Sequence, residues 1–327
     1  MTLDNYFSEL TDPEIVIKHS GLLQLSGLAG SEIIELLGVW STIPTERRRE
    51  IVDRMTELVE DNLDLDFASV FRACLRDKDD QVRAKAARGL EDSDDRTIIR
   101  PLIDLLLKDD SLEVRASAAV SLGKFAVMAQ DGKVLKRDGE RIRVALMEVI
   151  DRDDESLETR RRAIESVASF NSPEVEQIIN EAYDDGNPEL KQSAIYAMGQ
   201  SSNSAWMPIV IQETQSSDPA IRYEAATACG NLGEEDTVPH VIALLNDDDS
   251  LVQLASVGAL GAIGGSLSKR ALQQCLLLER TPYLLKLPDV VQILERALYC
   301  LEWFGVLVFE IHLVGAPCKL QSLLGLQ

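Results

Sequence analysis

Apolar positions in the middle of this chain recur with the period of a helix, and the same arrangement returns several times. In Val114–Gly123 an apolar residue falls at every fourth position, a basic residue follows the first of them, and Gly ends the segment. Ile221–Gly230 has the same order. Spacing of four places apolar residues on one side of a helix. The small pairs Ala118-Ala119 and Ala225-Ala226 would let a neighbouring helix approach closely, so we predict helices packed side by side.

The basic residue of this segment marks a regular repeat. The marker positions are Arg83, Arg115, Arg160, Lys191, Arg222 and Gln253, which lie 32, 45, 31, 31 and 31 residues apart. A fixed period of this length is typical of repeat proteins, in which one small structural unit stacks on the next. The step of 45 residues holds one repeat and an insertion, which we place at residues 126–140.

Each repeat is predicted to contain two helices. The second, inner helix follows an acidic or amide residue that can accept hydrogen bonds from its first N–H groups. These residues are Asp79, Asp110, Asn187, Asp218 and Asp249. The first, outer helix often starts near a proline, which is favoured in the first turn. The prolines are Pro101, Pro173 and Pro239.

Glycine is expected to end the inner helices. A helix commonly stops at a residue with positive φ, and Gly adopts that conformation without a steric penalty. The residues at this position are Gly123, Gly199, Gly230 and Gly261. Since no stretch alternates with the period of a strand, the predicted fold is all-α. We expect a right-handed α-solenoid, an α–α superhelix of stacked helix pairs with a period of about 31 residues.

The repeated Asp-x-x-Val-Arg-x-x-Ala-Ala-x-x-Leu-Gly pattern resembles short bacterial HEAT-like repeats of the type found in phycobilisome lyases. The resemblance covers roughly residues 66–265. It implies a helical cap at 1–64, a repeat array at 65–265 and an atypical cap or apolar tail at 266–327. It also implies that the basic marker pairs with a turn carboxylate and forms a ladder that fixes the stacking. The ladder residues would be Arg83, Arg115, Arg160 and Arg222.

This ladder is expected to weaken toward the C-terminal end of the array. Lys191 and Gln253 stand at marker positions where the other repeats have Arg. Neither side chain can make the two parallel hydrogen bonds that a guanidinium makes with a carboxylate.

The net charge of the chain limits the classes of partner that it can bind. The formal net charge of −22 makes nucleic acid a poor ligand, because its binding depends on Lys and Arg contacts to phosphate. An anionic membrane surface is disfavoured for the same reason. Residues 171–265 hold 15 acidic and 2 basic residues, whereas Lys124–Arg143 holds six basic and three acidic ones. The acidic stretch either aids solubility or steers a basic segment of a protein or peptide partner.

Variable positions of the inner helices are the candidate binding residues, because the packing of the repeat does not dictate them. They are Tyr196, Tyr223, Glu224, Thr227, Gln192, Arg162, Glu165, Lys85 and Arg88. Tyr196 and Tyr223 lie in adjacent repeats, and Tyr is enriched among residues that contribute most to binding. Two interpretations stay open: each ring is exposed to a partner, or each ring packs against the next repeat.

Catalytic chemistry finds little support in the sequence, and we expect a non-enzymatic protein without a metal or cofactor. His19, His240 and His312 form no metal-binding pair, and no phosphate-binding loop or nucleophile motif occurs. The resemblance leaves a bilin-lyase-like enzyme or pigment chaperone as an alternative. Five scattered Cys and a start without a signal-like apolar run are typical of a cytoplasmic protein.

The repeat pattern fades after residue 276, and a strongly apolar run follows at 298–315. Glu302, Glu310 and His312 interrupt this run, which argues against a membrane span. We expect a helix that caps the last repeat or an exposed patch that docks a partner or a second copy of the chain. A peripheral membrane attachment and an altered reading frame are further alternatives for residues 266–327.

Overall fold

The computed structural model describes residues 3–62 and 64–277 of the chain, and these residues form helices and connecting turns without a strand. In chain order the α-helices are α1 (Leu3–Thr11), α2 (His19–Leu22), α3 (Gly30–Trp40), α4 (Thr45–Asp61), α5 (Ala68–Cys74), α6 (Asp80–Arg88), α7 (Ile99–Lys108), α8 (Leu112–Gln130), α9 (Lys136–Ile150), α10 (Leu157–Val167), α11 (Pro173–Asp184), α12 (Pro188–Gln200), α13 (Met207–Glu213), α14 (Pro219–Leu232), α15 (Val238–Leu244), α16 (Ser250–Ile263) and α17 (Gly265–Leu277).

Two layers of helices run along the described chain. The inner layer is the series of even-numbered helices from α4 to α16, in which each helix packs against the next one. The outer layer is formed by the odd-numbered helices, and most of them pack against the inner helix that follows in sequence. The buried residues form one nearly continuous core between the layers. The predicted all-α solenoid of stacked helix pairs is confirmed.

Most of the predicted N-caps occupy that position. The side chains of Asp79, Asn187, Asp218 and Asp249 accept hydrogen bonds from N–H groups of the first turns of their inner helices. Asp110 is the exception, because the N-cap residue of α8 is Ser111 and its side chain accepts no such bond. The neighbouring carboxylate of Asp109 accepts from the Ser111 N–H instead, at 3.0 Å.

The glycines of the repeat do not end the inner helices, so that prediction was wrong. Gly199 and Gly230 lie inside α12 and α14, and neither they nor the equivalent Gly123 and Gly261 have positive φ. A Cβ atom placed on Gly199 would lie 2.7 Å from the Cα of Ala228, a residue of the next inner helix. The small residue is therefore needed for close approach between helices.

The same contact recurs one repeat later. A Cβ atom on Gly230 would lie 2.8 Å from the Cα of Ala259 in α16. The glycines that do terminate α14 and α16 are Gly233 and Gly264, with φ of 69° and 73°.

The insertion in the 45-residue step is mostly helical. It lengthens α8 to 19 residues and supplies the start of α9 after a short turn. Gly132 has φ of 71° in that turn. The basic residues of this region therefore lie on and between two packed helices.

Polar contacts attach the N-terminal helices to the first repeat. The guanidinium of Arg49 donates to both carboxylate oxygens of Asp79, at 2.9 and 2.6 Å. Trp40 Nε1 donates to Asp77 at 2.6 Å, and Arg48 pairs with the same carboxylate at 3.0 Å. The Arg49 bond holds the pKa of Asp79 below its ordinary value.

Part of the predicted C-terminal region lies outside the described residues. Helix α17 packs against α15 and α16 and is described as far as Leu277. The apolar run at 298–315, with its predicted capping, docking, dimer and membrane roles, falls beyond that point. Between residues 3 and 277, no described helix combines the length and apolarity needed to cross a bilayer.

Two glycines of the inner layer should respond oppositely to replacement by alanine. Gly230→Ala is expected to lower the free energy of unfolding by about 1–3 kcal/mol, because the new methyl collides with Ala259. Gly258→Ala in α16 is the matched control. Its Cβ would meet nothing within 4 Å, and alanine favours the helix by about 0.5–1 kcal/mol. Urea denaturation followed by circular dichroism would measure both, and equal shifts of the two midpoints would contradict the close-approach role.

Candidate functional site

The marker arginines connect consecutive repeats. Arg83 donates to both carboxylate oxygens of Asp109, at 2.8 Å each, and Asp109 belongs to the turn of the next repeat. The same guanidinium donates to the backbone carbonyl of Asp77 in its own repeat, at 2.8 Å. One side chain thus joins two turns through a bidentate ion pair and a hydrogen bond to the backbone.

Arg115 and Arg222 have the same geometry. Arg115 donates to Glu155 at 2.9 and 3.0 Å and to the Asp109 carbonyl at 2.7 Å. Arg222 donates to both oxygens of Asp247 at 2.7 and 2.8 Å, and this pairing holds the pKa of the Asp247 carboxyl below its ordinary value. Gln253, the marker of the next repeat, still donates to the Asp247 carbonyl at 2.6 Å.

The interruption of the ladder lies in its middle, where the sequence had suggested weakening toward the C-terminal end. Arg160 donates to the Arg152 carbonyl at 2.7 Å but pairs with no carboxylate among the described residues, and its buried Nε has no hydrogen-bond partner there. Lys191 pairs instead with Glu213, at 3.0 Å. For Lys191 the reason is that Ser216 stands in the turn of the following repeat, where Asp109 and Asp247 stand elsewhere. Arg160 forms no ion pair among the described residues although Asp185 holds that position in the repeat after it.

Lys191 belongs to a small, partly buried cluster that the sequence did not reveal. The Tyr183 hydroxyl donates to Glu213 at 2.5 Å, and the Lys191 ammonium lies 5.0 Å from the centre of the Tyr183 ring. Burial and the Glu213 carboxylate raise the pKa of Tyr183. Tyr183 and Glu213 come from the outer helices α11 and α13, so residue spacing along the inner helices gave no signal for this contact.

The candidate site is formed by side chains at equivalent positions of the inner helices α10, α12 and α14. We call the surface that these side chains form the inner face. Its residues are Glu158, Arg161, Arg162, Glu165, Glu189, Gln192, Ser193, Tyr196, Tyr223, Glu224 and Thr227. The close approach of these helices, set by the small residues described above, brings these side chains into contact across repeats.

A hydrogen-bonded network fixes the part of the inner face between α10 and α12. Arg162 pairs with Glu165 at 2.9 Å and with Glu158 at 2.8 Å. The Ser193 hydroxyl donates to Glu165 at 2.6 Å, and Arg161 donates to the Ser193 oxygen at 3.0 Å. The charges of this region are therefore largely neutralised within the network.

Glu224 is a half-buried carboxylate that this network leaves without a cation. It accepts a hydrogen bond from Gln192 at 3.0 Å, and no Lys or Arg of the described chain forms an ion pair with it. Burial raises the pKa of the Glu224 carboxyl, and the negative charge of Glu165 raises it further. The Gln192 hydrogen bond and the charges of Arg161 and Arg162 act in the opposite direction, but the pKa stays above its ordinary value. A carboxylate in this state gains free energy when a cation approaches it.

Tyr196 lies beside this carboxylate and is half-buried. Burial raises its pKa, as do the carboxylates of Glu165, Glu224 and Glu91, whereas the charge of Arg162 lowers it. A ring near several carboxylates offers a cation both charge attraction and an aromatic face. Tyr223 is different: its side chain is 37% exposed.

Of the remaining predicted residues, Thr227 belongs to the inner face, whereas Lys85 and Arg88 lie outside it on α6. Thr227 donates to the Tyr223 carbonyl at 3.1 Å, which turns its hydroxyl toward its own helix. Lys85 pairs with Asp53 of α4 at 2.5 Å. Arg88 is exposed, and its charge and that of Arg162 both act on the Glu91 carboxyl.

Three members of the network, Glu158, Arg161 and Ser193, were missed at the sequence level. Ser193 occupies a position that looks like a small packing residue, and Arg161 lies in a run of three arginines of which only the first and third were selected. The run of three arginines was itself a signal in the sequence that could have identified Arg161. Only the stacking of α10 on α12 shows that Arg161 reaches Ser193.

Comparison with known families and structures agrees with the repeat architecture. HEAT repeats are matched at residues 68–137 and 207–286. No curated protein sequence matches the chain.

Similar solved structures include human deoxyhypusine hydroxylase in complex with glycerol, at 17% identity and TM-score 0.35, covering 92% of this chain and 96% of that one. The complex of CpcE and CpcF of phycocyanin lyase from Nostoc sp. PCC7120 has 17% identity and TM-score 0.45, with 71% and 94% covered. The karyopherin Kap121p bound to the SUMO protease Ulp1p has 15% identity and TM-score 0.44, with 91% and 37% covered.

The two kinds of marker arginine should differ in their effect on stability. Arg222→Ala is expected to lower the free energy of unfolding by about 2–3 kcal/mol, because it leaves the buried Asp247 carboxylate unpaired. Arg160→Ala, which removes an equal side chain but no ion pair, should cost less than about 1 kcal/mol.

Since the pKa of Asp247 is lowered by Arg222, the stability that this pair contributes is present above the ordinary Asp pKa and is lost as pH falls through the lowered value. Urea denaturation at pH 7 and pH 3 would test both points, and a pH-independent gap between Arg222→Ala and the parent chain would refute the second.

The two tyrosines of the inner face should also differ in how much they contribute to the stability of the fold. Tyr196→Ala is expected to lower the free energy of unfolding by about 1–2 kcal/mol because the ring is half-buried, whereas Tyr223→Ala should change it by less than about 0.5 kcal/mol. Thermal unfolding of the single variants measures the difference. A large loss in Tyr223→Ala would show that this ring contributes to the packing of the stack.

Proposed function

The chain carries HEAT repeats, and from this we propose that it is a non-enzymatic scaffold or adaptor that binds a protein or peptide partner on the inner face. Stacked helical repeats generate extended surfaces that suit this task. The partner segment that fits the site carries a basic side chain. We place the protein in the cytoplasm on the grounds of its scattered cysteines, of which Cys74, Cys229 and Cys275 are free thiols in the structure.

The observation that carries the proposal is the state of Glu224. Glu165 and Glu158 form ion pairs with Arg162, and Glu158 pairs with Arg161 as well. Glu224 forms no ion pair within the described chain and accepts a hydrogen bond from the neutral amide of Gln192, while Arg161 and Arg162 act on it only through longer-range attraction. An incoming Lys or Arg would supply the missing cation and would also meet the ring of Tyr196. The site is thus complementary to one cationic side chain at a defined place.

The charge distribution around the site supports the same partner. Residues 171–265 carry 15 acidic and 2 basic residues, and both basic ones are already used: Lys191 pairs with Glu213 and Arg222 with Asp247. The unneutralised carboxylates create a negative potential that attracts a basic segment over a longer range. Long-range attraction accelerates encounter, while Glu224 and Tyr196 provide the specific contact.

Binding of basic peptides should depend on Glu224 and not on net charge alone. Phage-displayed random peptides selected on the full chain are expected to be enriched in Lys and Arg, and Glu224→Gln should weaken binding of the selected peptides about 10-fold or more. Glu234→Gln is the matched control, because it removes the same charge from an exposed residue near the site. Fluorescence anisotropy with labelled peptides measures both affinities.

The protonation of Glu224 supplies an independent readout. Because burial raises the pKa of this carboxyl, binding should weaken as pH falls through that raised value, and Glu224→Gln should remove this dependence. Glu224→Gln should not reduce stability, since it removes a charge that burial disfavours. If the selected peptides lack basic residues, or if Glu224→Gln and Glu234→Gln weaken peptide binding equally, the proposal is overturned.

A further inference from the structure

The inner face changes from charged to apolar along the stack. Three 31-residue steps relate four positions of α10 to four positions of α16. In α10 these positions hold Glu158, Arg161, Arg162 and Glu165, and in α16 they hold Leu251, Leu254, Ala255 and Gly258. Helix α14 is intermediate, because the same positions there are occupied by Ala220, Tyr223, Glu224 and Thr227.

One apolar side chain of α16 is clearly accessible. Leu251 is 61% exposed, whereas Leu254 and Ala255 are partly buried and pack against the core. A Cβ atom at Gly258 would meet nothing within 4 Å, so there is open space above this residue. Leu251, the space at Gly258 and the ring of Tyr223, which is 37% exposed on the adjacent helix α14, make up what we call the apolar patch.

The apolar patch lies one helix away from Glu224. Helices α14 and α16 approach closely, since a Cβ on Gly230 would lie 2.8 Å from Ala259, and helices in such contact have axes roughly 8 Å apart. An extended peptide advances about 3.3 Å per residue. Side chains two residues apart lie on the same face of such a peptide, about 7 Å from each other, and can therefore reach Glu224 and the apolar patch together.

We infer that the inner face recognises an extended segment in which a Lys or Arg and a large aliphatic residue stand two positions apart, on the same face of the segment. This inference rests on the proposed function and specifies the partner. The basic side chain binds Glu224 and Tyr196, and the aliphatic side chain binds the apolar patch between Tyr223, Leu251 and Gly258.

Three occupants could cover this surface: a separate basic partner, the apolar run of the chain itself, or a second copy of the chain. Charge complementarity favours the separate basic partner. The apolar run of the chain itself, 298–315, contains Glu302 and Glu310 but no Lys or Arg, so it could cover the apolar patch without satisfying Glu224. A second copy of the chain carries the same net charge of −22 and is repelled. A basic and aliphatic segment satisfies both halves of the surface.

Labelled twelve-residue Gly/Ser peptides test the inference on the full-length chain by fluorescence anisotropy. One peptide carries Lys and Leu two positions apart, one carries Lys alone, one carries Leu alone, and one carries Lys and Leu eight positions apart. The first is expected to bind at least 10-fold more tightly than each of the others. Leu251→Gln should remove this advantage and leave the Lys-only peptide unaffected.

Leu112→Gln is the matched control, because Leu112 is a 52% exposed leucine in the first turn of α8, away from the apolar patch.

If the Lys-only peptide binds through Glu224 but adding Leu brings no gain, the inference fails and the proposed function stands. If Lys-only and Lys–Leu peptides both bind equally to the parent chain and to Glu224→Gln, the proposed function fails. If Leu307→Asp in the apolar run strengthens binding of the Lys–Leu peptide severalfold, the chain's own segment occupies the apolar patch, which overturns the assignment of a separate occupant.

Discussion

The close approach of consecutive inner helices is the constraint on which the rest of this structure depends. At Gly199–Ala228 and at Gly230–Ala259 the backbones come so near that a single added methyl would collide with the next helix. Such contacts cannot form at a larger separation, because dispersion attraction fades within a fraction of an ångström. They therefore fix both the spacing and the rotation of the helices, and every side chain of the inner face takes its place from that arrangement.

The arginine ladder adds a second, directional restraint at the turns. In Arg83, Arg115 and Arg222 one guanidinium binds a carboxylate of the next repeat and a carbonyl of its own. A planar group with several fixed donors restricts the relative orientation of two turns more than apolar packing does. The ladder is interrupted at Arg160 and Lys191, and this is the region where the inner-face network of Arg161, Arg162, Glu165 and Ser193 crosses between α10 and α12.

The inner face then combines two kinds of surface that apolar packing does not require. Around Tyr196 it holds a half-buried carboxylate without a cation, and on α16 it holds an exposed leucine beside open space. Burial of an unneutralised charge costs free energy in the isolated chain. A partner that neutralises the charge and covers the apolar patch recovers that cost, which is the physical basis for assigning both to binding.

The repeat period, the all-α class, most N-caps and the separation of marker residues from variable residues were readable from the sequence, because each depends on neighbours within one helical turn or on a simple recurrence. The role of Gly199 and Gly230 was not readable, since a helix stop and a close helix contact both select glycine and only the position of the adjacent helix distinguishes them. The same holds for Arg160, a marker arginine that pairs with no carboxylate among the described residues, and for Glu213 as the partner of Lys191, which is set by the packing of α13. It holds too for the isolation of Glu224 and the difference between a half-buried Tyr196 and an exposed Tyr223. Sequence alone determined which residues repeat, whereas tertiary structure decided which of them touch, because contacts across repeats depend on the distance and rotation between helices that are about 31 residues apart along the chain.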